Sequence, residues 1–281
     1  MTYGYRSVLL RACGSLLTCG LILTGCSGSG SGSGSEDDGK RPESKGSPGG
    51  TTAPPATAPP PTSTPTGLGF TPDPKRAPKN EADAKRLALA VVAGPDSWGS
   101  DYVERTPHLS PDGYWPVLGK QCTWETGTRP ASVLHSVTAY SEIPAGAGKG
   151  ALRVSAIVTV HRTETDADWE MAETLEEALR CPDQRLRDGE RISGLMSLGS
   201  PFGVGGNFTA VDSLREAGTY VNDSVKGEQT YSWYQSRVGQ VTVTAVVKGA
   251  PGHTAKDTDN AQVQALVRMV ERAEDQLEVR S

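Results

Sequence analysis

Residues 230–248 read TYSWYQSRVGQVTVTAVVK, two β-forming runs that meet across Gly239. Val241, Val243, Ala245 and Val247 fall on one face of the second run, because side chains alternate along a strand. In the first run Tyr231 and Trp233 share a face and Tyr234 points the other way. The stretch therefore predicts a hairpin with one side in a core and the other on a sheet surface. A lone hairpin is at best marginally stable in water, so further strands and a packing layer are required.

Working outward, Leu152–His161 supplies a second strong strand. Leu152, Val154, Ala156, Val158 and Val160 alternate there with Arg153, Ser155, Ile157, Thr159 and His161. Val133–Ser141 predicts another strand, and Cys122–Glu125 a short one. Shorter strands are expected around Arg191–Leu198, Asn207–Ser213 and Thr219–Asn222. Three helices punctuate them. Asn80 caps EADAKRLALAVVA, with Ala84, Leu87, Ala88 and Val91 on one face. Thr165 opens DADWEMAETLEEALR, with Trp169, Ala172, Leu175 and Leu179 as the expected inner stripe, and Cys181-Pro182 ends it. A final helix over Asp257–Glu278 would bury Val263, Leu266, Val267, Val270 and Leu277. Residues 94–120 read as a long turn-rich loop. The order predicts an α+β domain over residues 80–281, an antiparallel sheet with helices packed on one face.

The other end of the chain is of a different kind. Residues 1–25 read as a secretion signal, with Arg6 and Arg11 before a short apolar run. That run is too short to span a bilayer, which takes about 20 apolar residues. It ends in Leu23-Thr24-Gly25-Cys26, a lipobox pattern. Small residues let an extended backbone enter the peptidase, and the Cys26 thiol takes a diacylglycerol thioether. Fatty acyl chains such as palmitate contribute about 0.8 kcal/mol per buried CH₂. The expectation is a lipoprotein anchored at the outer face of the cytoplasmic membrane. Residues 26–79 follow as a tether, first Ser/Gly alternation, then TTAPPATAPPPTSTPT at 51–66. Such composition packs no core and gives a disordered linker with a reach on the order of 50–100 Å.

Cys13 and Cys19 leave with the signal, so Cys122 and Cys181 remain beyond the anchor. Outside the cytoplasm such a pair most simply forms one disulfide, with two buried thiols as the alternative. Charge constrains partners. Taking Arg6 and Arg11 from the 28 basic residues leaves 26 against 33 acidic ones, a net charge of −7. That sign opposes nucleic-acid binding and adsorption to anionic lipid. Membrane attachment therefore falls to the Cys26 lipid.

Reaction motifs are sparse. No Gly-x-Ser-x-Gly elbow occurs, and His108, His135, His161 and His253 are scattered. Two cysteines and four such histidines show no metal-ligand spacing, and no cofactor is expected. GSPFGVGGNF at 199–208 lacks the Gly-Lys-Ser/Thr of a phosphate loop and reads as a turn. Glu173, Glu176 and Glu177 read as a solvated helix face, and Asp257 and Asp259 as helix-start charges. Aromatic residues are few, and Trp115 with Tyr234 is the pair assigned to a candidate ligand groove.

QCTWE at 121–125, DADWEMAETLEEALRCP at 166–182 and GEQTYSWYQSRVGQVTVTAVV at 227–247, followed by a terminal helix, together carry a resemblance. The chain resembles actinobacterial extracytoplasmic lipoproteins with a PknH-like sensor domain, or the related cell-wall lipoproteins with a Cys-x-Trp strand. The resemblance implies a cleft-bearing extracellular binding module. It differs in having one candidate cysteine pair, a lipid in place of a transmembrane helix, and no kinase domain. The functional expectation is a non-enzymatic, lipid-anchored binding or sensing module for a small molecule, a wall fragment or an envelope partner. An envelope scaffold without a pocket and a hydrolase are the alternatives.

Overall fold

The computed structural model describes residues 70–199 and 212–279. The expected signal, Cys26, most of the tether and nearly all of the glycine-rich 199–208 stretch lie outside the described residues. In chain order come α1 (Glu81–Val91), α2 (Pro95–Trp98), β1 (Val103–Leu109), β2 (Pro116–Leu118), β3 (Trp124–Thr126), β4 (Val133–Ile143) and β5 (Leu152–His161). Then follow α3 (Glu164–Arg180), β6 (Gln184–Arg187), β7 (Glu190–Gly199), β8 (Asp212–Asn222), β9 (Gln229–Val238), β10 (Val241–Lys248) and α4 (Ala255–Leu277). Eight strands make one antiparallel sheet in the order β1-β4-β5-β10-β9-β8-β7-β6, and β2 pairs with β3 as a separate hairpin. The class is α+β with an antiparallel sheet, as the strand and helix periods predict.

The opening stretch sits at the centre. Val238 pairs with Val241 around Gly239 and Gln240, and pairing runs unbroken to Tyr231 and Lys248. Gly239 has φ 56°, which suits glycine at the first position of a two-residue turn. On the other edge β10 pairs with β5 from Val241↔Val160 to Lys248↔Arg153. This register puts Val154, Ala156, Val158 and Val160 beside Val247, Ala245, Val243 and Val241 on one face. All eight are buried under α1, α2 and α4, with Leu87, Trp98, Leu266 and Met269. Each large apolar side chain so buried contributes roughly 1.5–3 kcal/mol.

The same capping device starts three helices. Asn80, Thr163 and Thr254 each accept a hydrogen bond from the backbone N–H three residues on, and each side chain donates to that residue's aspartate. Asp83, Asp166 and Asp257 thereby tie each cap to a first-turn charge that the helix dipole favours.

The sheet differs from the expected plan in one respect. Helices α1, α2 and α4 share a face, but α3 lies on the opposite one, against β5, β7, β8, β9 and β10. Its inner stripe is also rotated from the expected one. Ala167, Met171, Thr174 and Ala178 are buried, whereas Trp169 is 64 % and Leu179 78 % exposed. The reason is the chemistry beneath it. His161, Gln235 and Thr242 present polar groups there, and α3 meets them with the carboxylate of Glu170.

Other boundaries shift. Residues 94–120 hold α2, β1 and β2 as well as turns. Residues 212–222 form one long strand in place of two short ones, and Asn207–Val211 lies outside the described residues. Packing also involves residues before Asn80. Phe70 packs on the main core, Pro72 bridges Glu278, and Asp73 donates to Leu277 O.

Candidate functional site

The second face of the sheet is a floor that α3 covers only in part. Strand alternation sends Tyr140 from β4, Ser155 and Ile157 from β5, Val246 and Lys248 from β10, and Tyr231 and Trp233 from β9 to this side. Above it stands the β2–β3 hairpin. The Cys122–Cys181 disulfide, Cα–Cα 5.4 Å, fastens the hairpin's turn to the end of α3. Secondary ties reinforce it: Arg180 donates to Leu118 O and Gly119 O, Arg185 N donates to Cys122 O at 2.8 Å, and Trp124 Nε1 donates to Gln184 Oε1 at 2.8 Å.

A groove results, floored by sheet and bounded by hairpin and helix. It has two cavities that share Pro116, Trp124, Thr138, Ile157 and Trp233. One, about 280 Å³, runs toward Arg105, Tyr140, Arg153, Arg187 and Lys248. The other, about 180 Å³, runs under Trp115 toward Glu170, Glu173 and Glu177 on α3. Aromatic rings line the middle, cations one end and carboxylates the other. Apolar pockets with a few convergent polar groups are the usual form of a ligand site.

Electrostatics divides the ends further. Burial pushes the Glu177 carboxyl up to about 7, against the pull of Arg180. Burial likewise pushes Glu216 up to about 7, against the pull of the Ser197 hydroxyl and with the Glu177 charge adding to it. Glu216 sits beside Trp233 in the β8–β9 register and is 5 % exposed. Its Oε1 and the buried Trp233 Nε1 have no hydrogen-bond partner among the described residues. At the other end burial works against the Glu190 charge, but the Arg187 hydrogen bond and Lys248 outweigh it and hold Glu190 down at about 2. Burial lowers Lys248 itself, with Glu190 opposing.

The candidate residues separate. Trp115 lines the carboxylate-end cavity. Tyr234 lies on the opposite face, 1 % exposed, and its hydroxyl donates to Asp259 on α4. The correction follows from register: Tyr234 pairs with Ala245, which belongs to the main core, so its neighbours Tyr231 and Trp233 take the groove side. Cys122 and Cys181 are joined as expected, and Cys26 lies outside the described residues. Glu173 and Glu177 are groove residues rather than only a solvated face, and Asp259 is a tyrosine's acceptor besides a helix-start charge. Trp124 and Trp233 were legible as aromatics, but nothing local marked them as neighbours.

The hydrolase alternative finds one pair to test. His161 Nε2 lies 2.5 Å from Glu170 Oε2, and Glu170 reaches the groove. His161 is 2 % exposed, and its Nδ1 is buried with no hydroxyl or carboxylate in hydrogen-bond reach among the described residues. A nucleophile–base–orienting-group relay needs a partner on that second nitrogen. Thr242 Oγ1 and Gln235 Nε2 also donate to Glu170, so the cluster reads as the polar seat of α3 on the sheet. Among the described residues no three His, Cys, Asp or Glu side chains converge as a metal set would. No described helix is long and apolar enough to cross a membrane. Comparison with known proteins finds no family model that matches this chain and no curated protein that matches it.

Proposed function

We propose that this protein is a non-enzymatic, lipid-anchored binding or sensing module at the outer face of the cytoplasmic membrane, and that its ligand enters the groove beneath the β2–β3 hairpin. The observation that carries the reading is the groove itself, where Trp115, Trp124 and Trp233 meet at a floor only partly roofed by α3. Aromatic side chains left lining a cleft instead of closing a core supply contact area for a small molecule or wall fragment. A disulfide holding the roof reduces the ordering cost of binding. The Cys26 lipobox and the Ser/Gly and Thr/Pro tether support the location, and no partner other than lipid is implied for membrane attachment.

Native mass spectrometry of the full chain, purified gently from its host, tests the ligand reading. An added mass that is lost on unfolding is expected. A bare mass, with no rise in melting temperature across a library of wall fragments, would count against it. Cys26→Ala should move the protein from the membrane to the soluble fraction; retention on membranes would end the anchor assignment.

A further inference from the structure

The cation end of the groove carries the inference furthest. Arg105, Arg153, Arg187 and Lys248 line the larger cavity. Two carboxylates face them. Glu190, 5 % exposed, takes Arg187 and Lys248, and Glu142 lies 3.9 Å from Arg153 Nε. Four cations against two anions leave an excess of two positive charges in a concave site on a chain whose net charge is negative. The donors with the loosest partners are two guanidiniums. Arg105 makes no ion pair among the described residues and lies over the Tyr140 ring at 5.0 Å. Arg153 reaches Glu142 and Glu190 only at 3.9 and 4.0 Å, and its buried Nε has no hydrogen-bond partner among the described residues. Guanidinium donors of this kind are matched by an oxyanion, which they bind in a fork. Trp124, Trp233 and Tyr140 stand next to them as flat surfaces for a ring.

We propose that the groove takes a ring-bearing oxyanion, a flat aromatic or sugar ring carrying a carboxylate, sulfonate or phosphate, with the anion between Arg105 and Arg153 and the ring against Trp124 and Trp233. This rests on the groove being a ligand site, and the two claims fail in different ways.

The test uses the full chain and two fluorescent probes: anilinonaphthalene sulfonate, and N-phenylnaphthylamine, which has the same rings without the anion. The sulfonate should bind about tenfold tighter, the scale of a hydrogen bond to a charged group. Added salt should weaken the sulfonate and leave the neutral probe unchanged. Arg105→Gln should remove most of the difference, and Arg105→Lys should keep part of it. Arg215→Gln is the matched control, because Arg215 lies over Tyr234 at 5.1 Å on the opposite face, and it should change nothing. Trp233→Leu should weaken both probes. Equal binding of the two probes, each sensitive to Trp233→Leu, would leave the groove a ligand site and overturn the oxyanion. Equal effects of Arg105→Gln and Arg215→Gln would overturn it too. Binding of neither probe, or binding indifferent to Trp233→Leu, would overturn the oxyanion and the groove together.

Discussion

Glu216 offers a stability test with its sign and size set by the structure. It lies beside Trp233, 5 % exposed, with Oε1 unpartnered among the described residues. Its carboxyl is held at about 7 against the usual 4.5, chiefly by burial. Between those values the native state keeps a proton that the unfolded chain has released. Native protein therefore binds more protons, and stability falls as pH rises through this window. Below 4.5 the contribution is fully present; above about 7 it is lost. At about 1.4 kcal/mol per pH unit the loss approaches 3 kcal/mol at pH 8, and is under about 1 kcal/mol at pH 5. Glutamine copies the protonated carboxyl and cannot ionise. Glu216→Gln should thus be close to neutral at pH 5 and stabilising by about 2–3 kcal/mol at pH 8. Urea unfolding of wild type and variant at both values reads this directly, because other titrating groups largely cancel in the difference. Glu177, also pushed up to about 7 by burial, adds a slope of the same sign to wild type and variant alike. A variant equally destabilised at both pH values would refute the reasoning, since the native carboxyl would then already be ionised at neutral pH.

Glu190 should behave in the opposite sense. Its depressed value means stability present above 4.5 and lost as pH falls toward about 2, so Glu190→Gln should cost about 2 kcal/mol at pH 7, allowing for the solvent around Arg187, and little near pH 2; urea midpoints at the two values check it. Replacing both Cys122 and Cys181 by serine opens a loop of sequence separation 59 and should cost about 4 kcal/mol by loop entropy. Non-reducing peptide mapping of wild type should find the two joined, and a variant loss below about 1 kcal/mol would remove the staple from the account. Tyr234→Phe should cost about 1.5 kcal/mol through the lost bond to Asp259, measured by denaturation, with no change in probe binding because the ring lies on the far face.

Local signals were enough for much of this protein. Alternation at 152–160 and 241–247 determined the two central strands and which side faces the core, since a strand has only two faces. Asn80, three residues before Asp83, marked the first helix start because capping is settled within four residues. The same spacing to aspartate at Thr163 and Thr254 went unread, and the last helix was expected to begin at Asp257. For α3 the predicted opening at Thr165 fell two residues past the observed Thr163 cap. Only Cys122 and Cys181 follow residue 26, and that count was enough to predict the disulfide the structure shows.

What needed tertiary structure was decided by pairs far apart in the chain. Whether Tyr234 or Trp233 faced the groove depended on which face α4 covered, and α4 lies beyond the hairpin in sequence. Trp169 and Leu179 looked like an inner stripe because periodicity reports a side of a helix without saying what that side meets. The sheet under α3 offered hydrogen-bonding groups, so the helix turned small residues and Glu170 toward it. The groove is non-local in the same way. Trp124, Glu177, Trp233 and Arg105 come from four elements, and only the register of β4, β5, β10 and β9, with one disulfide across the top, brings them to one side. A residue's own alternation fixes its face; the partner waiting on that face is chosen by the rest of the fold.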